Sequence, residues 1–183
     1  MATSSLRRAC QLKAMRTDIE IVPIRGNVGT RLDKIARGEA DGTILAVAGL
    51  NRLGLEVRIT ERFGPDRLVP AIGQGAIGLE TRADPTILET VGPLDDPETR
   101  AAVTAERALA RGLKATCRTP VGGYAERRGA VLTLTGVVAS LDGRQVVRDW
   151  VAGPADQAEG LGLTLADRIL SAGADDILKE IEP

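Results

Sequence analysis

Two strand-like runs, Val131–Ala139 and Gln145–Val151, flank Leu141-Asp142-Gly143-Arg144, and this pairing constrains the fold more than any other stretch. Asp-Gly supplies the backbone freedom that a tight reversal needs, so the runs read as neighbouring antiparallel strands. Val121–Glu126 reads as a third strand. The cover for such a sheet lies downstream, where Ala158, Leu161, Leu165, Ala166, Ile169 and Leu170 recur at helical spacing. Gly173 is a stop, and Ala174, Ile177, Leu178 and Ile181 follow. Upstream, Asp96-Pro97-Glu98 starts a helix, with Asp96 as N-cap and Pro97 in the first turn. That helix carries Ala101, Ala102, Ala105, Ala108 and Leu109 on one face and ends near Gly112. The stretch 97–183 is therefore expected to be a small α+β domain with a three-stranded antiparallel sheet.

The first third follows a different logic. Ser4 or Ser5 caps a helix running through Leu12 toward Met15, with Arg7 and Arg8 in its first turn. Two cations there oppose the helix dipole, so an anionic partner is the easier explanation, although a solvated basic turn carries comparable weight. Ile19–Ile24 reads as a short strand. Arg25-Gly26-Asn27-Val28-Gly29-Thr30-Arg31 leads into a helix carrying Leu32, Ile35 and Ala36 that stops at Gly38, with Thr30 able to cap. Thr43–Ala48 is a continuous apolar run of the kind found in buried parallel strands. Strand, helix, strand makes a βαβ unit whose carboxyl-end loops would gather Arg25, Arg31 and Arg52, the edge at which open α/β sheets bind ligands. At least three of Arg7, Arg8, Arg25, Arg31 and Arg52 are expected to face one cleft. After a connector at Pro65–Pro70, Ala71–Glu80 reads as a buried, glycine-rich strand. The expected division is an α/β domain over 1–73, a return segment over 74–96, and the α+β domain.

Composition narrows the chemistry. The chain is 43% hydrophobic but 2% aromatic, so its cores are aliphatic. A formal net charge of −1 gives no field that would recruit nucleic acid or membrane, and neither partner is expected. Histidine is absent, which removes the usual general base and the usual metal ligand, and no metal site is expected. Two cysteines, Cys10 and Cys117, form no disulfide framework and suit a reducing compartment. No run has membrane-spanning length, so the cytoplasm is the expected compartment; a monomer is expected as well.

Cys117 lies in Leu113-Lys114-Ala115-Thr116-Cys117-Arg118-Thr119-Pro120-Val121-Gly122-Gly123, between a helix and a strand. One reading is a small half-buried hydrophobe in a loop. The other is a nucleophilic or covalently loaded thiolate, favoured by Lys114, Arg118 and Arg111. The loop alone leaves both open. Cys10, on a helix face, reads as a packing residue.

The ordered set Thr3-Ser4-Ser5-Leu6-Arg7-Arg8, Arg25–Leu32, Ile44–Leu55, Pro70-Ala71-Ile72-Gly73-Gln74-Gly75-Ala76, Thr104-Ala105-Glu106-Arg107 and the cysteine loop resembles the porphobilinogen deaminase (hydroxymethylbilane synthase) family across nearly the whole chain. The resemblance implies periplasmic-binding-protein-like α/β domains, here incomplete, followed by the α+β domain. It also implies a transferase that condenses four porphobilinogen molecules, with loss of ammonia, into hydroxymethylbilane. The reaction runs on a dipyrromethane cofactor held by a thioether, and matching by motif makes Cys117 its attachment residue. Ser5, Arg7, Arg8 and Arg31 match positions that bind the carboxylate side chains of cofactor and polypyrrole intermediates. Arg52 matches a substrate-binding position, and Arg25 joins it in the arginine loops.

One departure is large. The family pattern begins with a substantial N-terminal region that has no counterpart here, and the family's catalytic aspartate belongs to it. No carboxylate of this sequence matches that aspartate by motif, so the catalytic residue is left unassigned. The chain by itself is expected to be inactive. A non-catalytic carboxylate-binding α/β module is the alternative reading.

Overall fold

The structure is a computed structural model and describes residues 1–181; the last two residues of the expected α+β domain, Glu182 and Pro183, lie outside the described residues. In chain order the helices are α1 (Leu6–Met15), α2 (Val28–Ala36), α3 (Val47–Arg52), α4 (Pro85–Val91) and α5 (Pro97–Gly112). The strands β1 (Val121–Arg128), β2 (Val131–Ala139) and β3 (Val146–Pro154) follow, then α6 (Ala158–Ile169) and α7 (Asp175–Lys179).

The three strands form an antiparallel sheet in the order β1-β2-β3, with Tyr124 opposite Thr135 and Leu134 opposite Val151. The hairpin lies where Asp-Gly put it. Asp142 Oδ1 accepts from Ser140 Oγ at 2.6 Å and from Arg144 N at 3.0 Å, and Gly143 takes a left-handed φ of +74°. α5 and α6 cover one face of the sheet. Leu109 of α5, Leu132 and Leu134 of β2, and Leu165 and Ile169 of α6 are fully buried there. The two helices meet at Gly162, where an added Cβ would lie 2.4 Å from Ala105 O. A residue with any side chain would force them apart.

β2 alternates between buried and open positions along its first half and is buried throughout from Gly136 to Ala139. That change marks the point where α1 covers the sheet's other face. The hairpin tip packs on α1 as well: a Cβ on Gly143 would lie 2.7 Å from Ala14 N and 2.8 Å from Cys10 O. Lys13 Nζ donates to Leu141 O at 3.4 Å, and the Arg148 guanidinium of β3 donates to Asp66 O and Pro65 O.

In the first third, the expected strands shrink to single bridges. Ala2 pairs in parallel with Val22 on one side and Thr43 on the other. Val22 is followed by Pro23, which has no N–H with which to extend a ladder. Ser4 takes over instead: its Oγ donates to Ile24 O at 2.8 Å and accepts from Ile24 N at 3.1 Å. On the other side the run Thr43–Ala48 is cut short because Val47 and Ala48 already belong to α3. α1 is capped by Ser5, as expected. α2 is capped by Asn27, whose Oδ1 accepts from Thr30 N and Thr30 Oγ1, both at 2.9 Å, so Thr30 serves the cap rather than forming it. Leu12, Ile44 and Leu68 form the small core of this part, with Met1, Ile21 and Phe63 against it.

Ala71–Glu80 is not a buried strand. Its glycines turn the chain over Ile72–Gly75, and Ile77 and Leu79 stand 82% and 59% exposed. No strand lies alongside to pair with it among the described residues. Without a neighbour, a glycine-rich segment has neither hydrogen bonds nor side-chain packing to hold it extended. α4, which follows, buries no residue.

Candidate functional site

The site forms where the start of α1 meets the loop after α5. Ser5 caps α1 and accepts from Arg8 N at 3.4 Å, which orients the helix N-terminus and its two arginines. Arg7 turns inward to 7% exposure and donates to Val69 O. Arg8 donates through its Nη1 to Ile44 O at 2.8 Å. Both guanidiniums are held by backbone carbonyls rather than by carboxylates. Burial, and then the charge of Arg8, lowers the Arg7 pKa to about 10. Burial, and then the charge of Arg31, lowers that of Arg8. Cations gathered and desolvated without an acidic partner are poised for an anion, and a guanidinium matches the fork of a carboxylate.

From the other side, α5 ends at Gly112, and Lys114 adopts a left-handed φ of +50°. The chain then turns over Thr116–Thr119. Thr116 N donates to Thr119 Oγ1 at 2.8 Å, and that hydroxyl donates to Thr116 O at 2.8 Å. Thr119 is buried while Cys117 is exposed, so the turn keeps its base in the protein and shows its thiol. Arg111, expected to serve the cysteine, points elsewhere: its Nη2 pairs with Glu159 of α6 at 2.6 Å.

These pieces enclose a cavity of about 320 Å³ whose wall includes Ser5, Arg7, Ile72, Thr116, Cys117 and Thr119. A second cavity of about 640 Å³ shares Arg7 and is lined in addition by Arg8, Arg58, Gln74, Asp41 and Glu61. Arg7 is thus common to both. Ser5 and Arg7 come together with Cys117 from more than a hundred residues away in sequence. Arg31 lines neither cavity; its Nε donates to Gly26 O at 2.8 Å, and it acts through its charge on Arg8. Arg25 and Arg52 are exposed and stand outside both walls, so the gathering of arginines is narrower than their recurrence in sequence suggests. The reason is local: Arg52 lies in the last turn of α3, and Arg25 precedes the cap of α2 in an exposed bend.

Several residues at the site were not singled out from sequence. Thr116 and Thr119 bracket Cys117 at a spacing readable as a hydroxyl-tied turn. Arg58 and Gln74 carried no local signal for a cavity wall. Neither did Glu106, a buried carboxylate of α5 that accepts from Gly73 N at 2.6 Å and Ala125 N at 2.8 Å. Glu106 thereby ties the turn beside the cavity to β1. Cys10, read as a packing residue, is 1% exposed against the hairpin tip. Among the described residues, no group of three or more His, Cys, Asp or Glu side chains is placed to hold a metal ion, and no helix is long and apolar enough to cross a membrane.

Residues 1–90 match the family model described as porphobilinogen deaminase, dipyromethane cofactor binding domain, and residues 100–171 match porphobilinogen deaminase, C-terminal domain. Curated relatives include the porphobilinogen deaminase of Roseiflexus castenholzii, 51% identical over 179 residues, covering 97% of this chain and 59% of the relative. That of Desulforudis audaxviator is 50% identical over 182 residues, covering 99% and 59% respectively. That of Methylobacillus flagellatus is 46% identical over 179 residues, covering 97% and 58%. The chain spans about three fifths of the length of the curated relatives it matches.

Proposed function

The chain belongs to the porphobilinogen deaminase family, and on that footing we propose that it serves hydroxymethylbilane synthesis, holding a dipyrromethane at Cys117 and binding porphobilinogen and the growing polypyrrole. The observation that carries the reading is the single cavity shared by the Cys117 thiol, Ser5 and Arg7. A dipyrromethane bearing acetate and propionate groups needs a nucleophilic anchor with cations within reach, and this wall supplies both. Among the described residues Arg7 and Arg8 each make one guanidinium hydrogen bond, which leaves further N–H donors for carboxylates.

When bound, the dipyrromethane supplies an electron-rich pyrrole to which porphobilinogen adds. The roles of this chain's own residues are positional and electrostatic. Cys117 Sγ would hold the group as a thioether to a pyrrole methylene carbon, the thiol proton leaving with that carbon's hydroxyl or amine as water or ammonia. Ser5, at the positive end of α1, would donate its hydroxyl proton to a carboxylate at the cavity mouth while its oxygen accepts from Arg8 N. Arg7, common to the walls of both cavities, would hold the cofactor's carboxylates, while Arg8 extends the cationic wall into the larger space, which would receive the lengthening product. Arg31 adds a second positive charge near Arg8, a repulsive pairing that a carboxylate of the bound group would relieve. Arg25 and Arg52, outside both walls, are assigned to incoming substrate at the surface.

On the same reading, Ala2, Val22 and Thr43, side by side in parallel, are the sheet edge of a periplasmic-binding-protein-like α/β domain over 1–73, with 74–96 a return segment and 97–183 the attachment domain. We expect a cytoplasmic monomer. Intact-mass measurement tests the proposal. The chain supplied with hydroxymethylbilane, whose capture by a thiol loses water and needs no loss of ammonia, gains a pyrrole adduct mapping to the Cys117 peptide, and Cys117→Ala gains none. An unmodified chain, or an adduct on Cys10, overturns it.

A further inference from the structure

We infer that Thr119 is the positioning residue that presents Cys117 to its cavity; the inference rests on Cys117 being the attachment cysteine. Cys117 is the second residue of the turn Thr116–Thr119, and the hydrogen bonds of that turn among the described residues are internal to it. Thr119 N donates to Thr116 O at 3.2 Å, a long closing bond. The Thr119 hydroxyl adds two shorter ones, accepting from Thr116 N and donating to Thr116 O, both at 2.8 Å. Donor and acceptor of one hydroxyl therefore both end on the backbone of the residue before the cysteine. Arg118 N donates to Thr116 Oγ1 at 3.2 Å and closes the inner side.

The surroundings make this tie consequential. Thr119 is 7% exposed and Pro120 is fully buried, so the downstream end of the turn is fixed in the protein. The upstream end is held as far as Ala115, whose N–H donates to Ala110 O at 2.8 Å, with Leu113 buried before it, but Thr116 itself is exposed. Thr119 thus ties the exposed Thr116 to the buried downstream end, and Cys117, between them, shares the cavity wall with Ser5 and Arg7. Losing a hydrogen-bonded hydroxyl of this kind lowers the population of the tied turn roughly 3- to 10-fold. The thiol would then sample directions away from the cavity.

The test uses the 183-residue chain made by cell-free synthesis without porphobilinogen, so that Cys117 is unmodified. Alkylation rates at Cys117 are measured by peptide mapping with iodoacetate and with iodoacetamide. Their ratio cancels the thiol's intrinsic reactivity and reports whether it faces the cation Arg7. Thr119→Val, which keeps the shape and loses the hydroxyl, lowers the iodoacetate preference about threefold or more; Thr119→Ser restores it. An unchanged ratio in Thr119→Val overturns the inference, as does a Thr119→Ser chain that behaves like Thr119→Val, since the methyl group would then be what matters. Thr119→Ala, too small to crowd the site, is run beside them with thermal melts. If neither it nor Thr119→Val folds while Thr119→Ser does, the hydroxyl serves folding rather than presentation, and the inference also falls. The attachment reading fails separately: an altered ratio with no adduct on Cys117 in the loaded chain sinks that reading alone, and an adduct with an unchanged ratio sinks this inference alone.

Discussion

Gln11 holds Val69 through both of its backbone groups. Gln11 Oε1 accepts from Val69 N at 2.8 Å and Gln11 Nε2 donates to Val69 O at 3.1 Å, with both residues buried. Val69 O also receives the Arg7 guanidinium. One residue of the connector therefore fixes α1, the arginine of the cavity wall and the approach to Ala71–Ile72 at once. A side-chain amide in this arrangement imitates a neighbouring strand.

Gln11→Leu keeps the size of the side chain and leaves Val69 N–H buried without an acceptor. Denaturant unfolding should show a loss of about 1–3 kcal/mol. A loss below experimental error would mean that water or a shifted backbone replaces the amide.

Arg7→Met should separate stability from binding. Burial of the Arg7 cation without an acidic partner costs stability, and its pKa is lowered for that reason. Replacing such a charge with an apolar residue of similar length is often neutral or stabilising by about 1 kcal/mol or more. The variant should unfold at equal or higher denaturant than the parent, while cofactor loading by mass spectrometry falls sharply. Loading at the parental level would remove Arg7 from the cofactor wall.

Gly162→Ala tests the contact between α5 and α6. The added methyl would meet Ala105 O and the Ala108 side chain at 2.4 and 2.5 Å, and neither helix can yield without disturbing Leu109. A destabilisation of at least about 1–3 kcal/mol is expected from overpacking, outweighing the gain in helix propensity. Gly160→Ala is the control, because nothing lies within 4 Å of a Cβ there. It should be neutral or slightly stabilising.

The alkaline limb of the stability profile should report Cys10. Burial pushes its thiol from an ordinary 9.0 up to about 11, with Asp142 adding to the rise and Lys13 opposing it. A folded pKa above the unfolded one means that the folded state holds the proton longer. The contribution is therefore complete below about pH 9 and is lost as pH rises through about 11. Cys10→Ala should flatten that limb in denaturant titrations between those limits. An unchanged slope would assign the alkaline loss to other groups.

Catalysis by the 183-residue chain on its own should be negligible. The family resemblance calls for an aspartate to support ammonia loss, and the cavity wall around Cys117 contains no carboxylate. Losing a group that stabilises developing charge costs roughly 100- to 1000-fold in rate. Tetrapyrrole formation from porphobilinogen by this chain measures it directly. Robust turnover would show that another carboxylate takes the role, and Asp41→Asn and Glu61→Gln would test the two that line the larger cavity.

What the sequence determined by itself was local. The Ser4-Ser5 pair and Asp96-Pro97 start their helices, Asp142-Gly143 reverses β2 into β3, and Gly173 breaks the helical line between α6 and α7, because caps and turns are made by residues within about four positions of one another. The alternation of Leu132 and Leu134 with Thr133 and Thr135 likewise shows which face of the sheet meets the helices. The thiol loop and the arginines were legible as residue types in a family order, but not as a cavity. Only tertiary packing decided that Cys117 shares its wall with Ser5 and Arg7, that Arg111 is drawn off to Glu159, and that Arg25 and Arg52 stand outside. Packing also overruled local pattern where apolar runs lacked neighbours: Ala71–Glu80 has a buried strand's composition and an exposed turn's conformation. A strand is completed by hydrogen bonds and side chains from elsewhere in the chain, so its own residues cannot guarantee it, whereas a helix or a turn closes its bonds within itself.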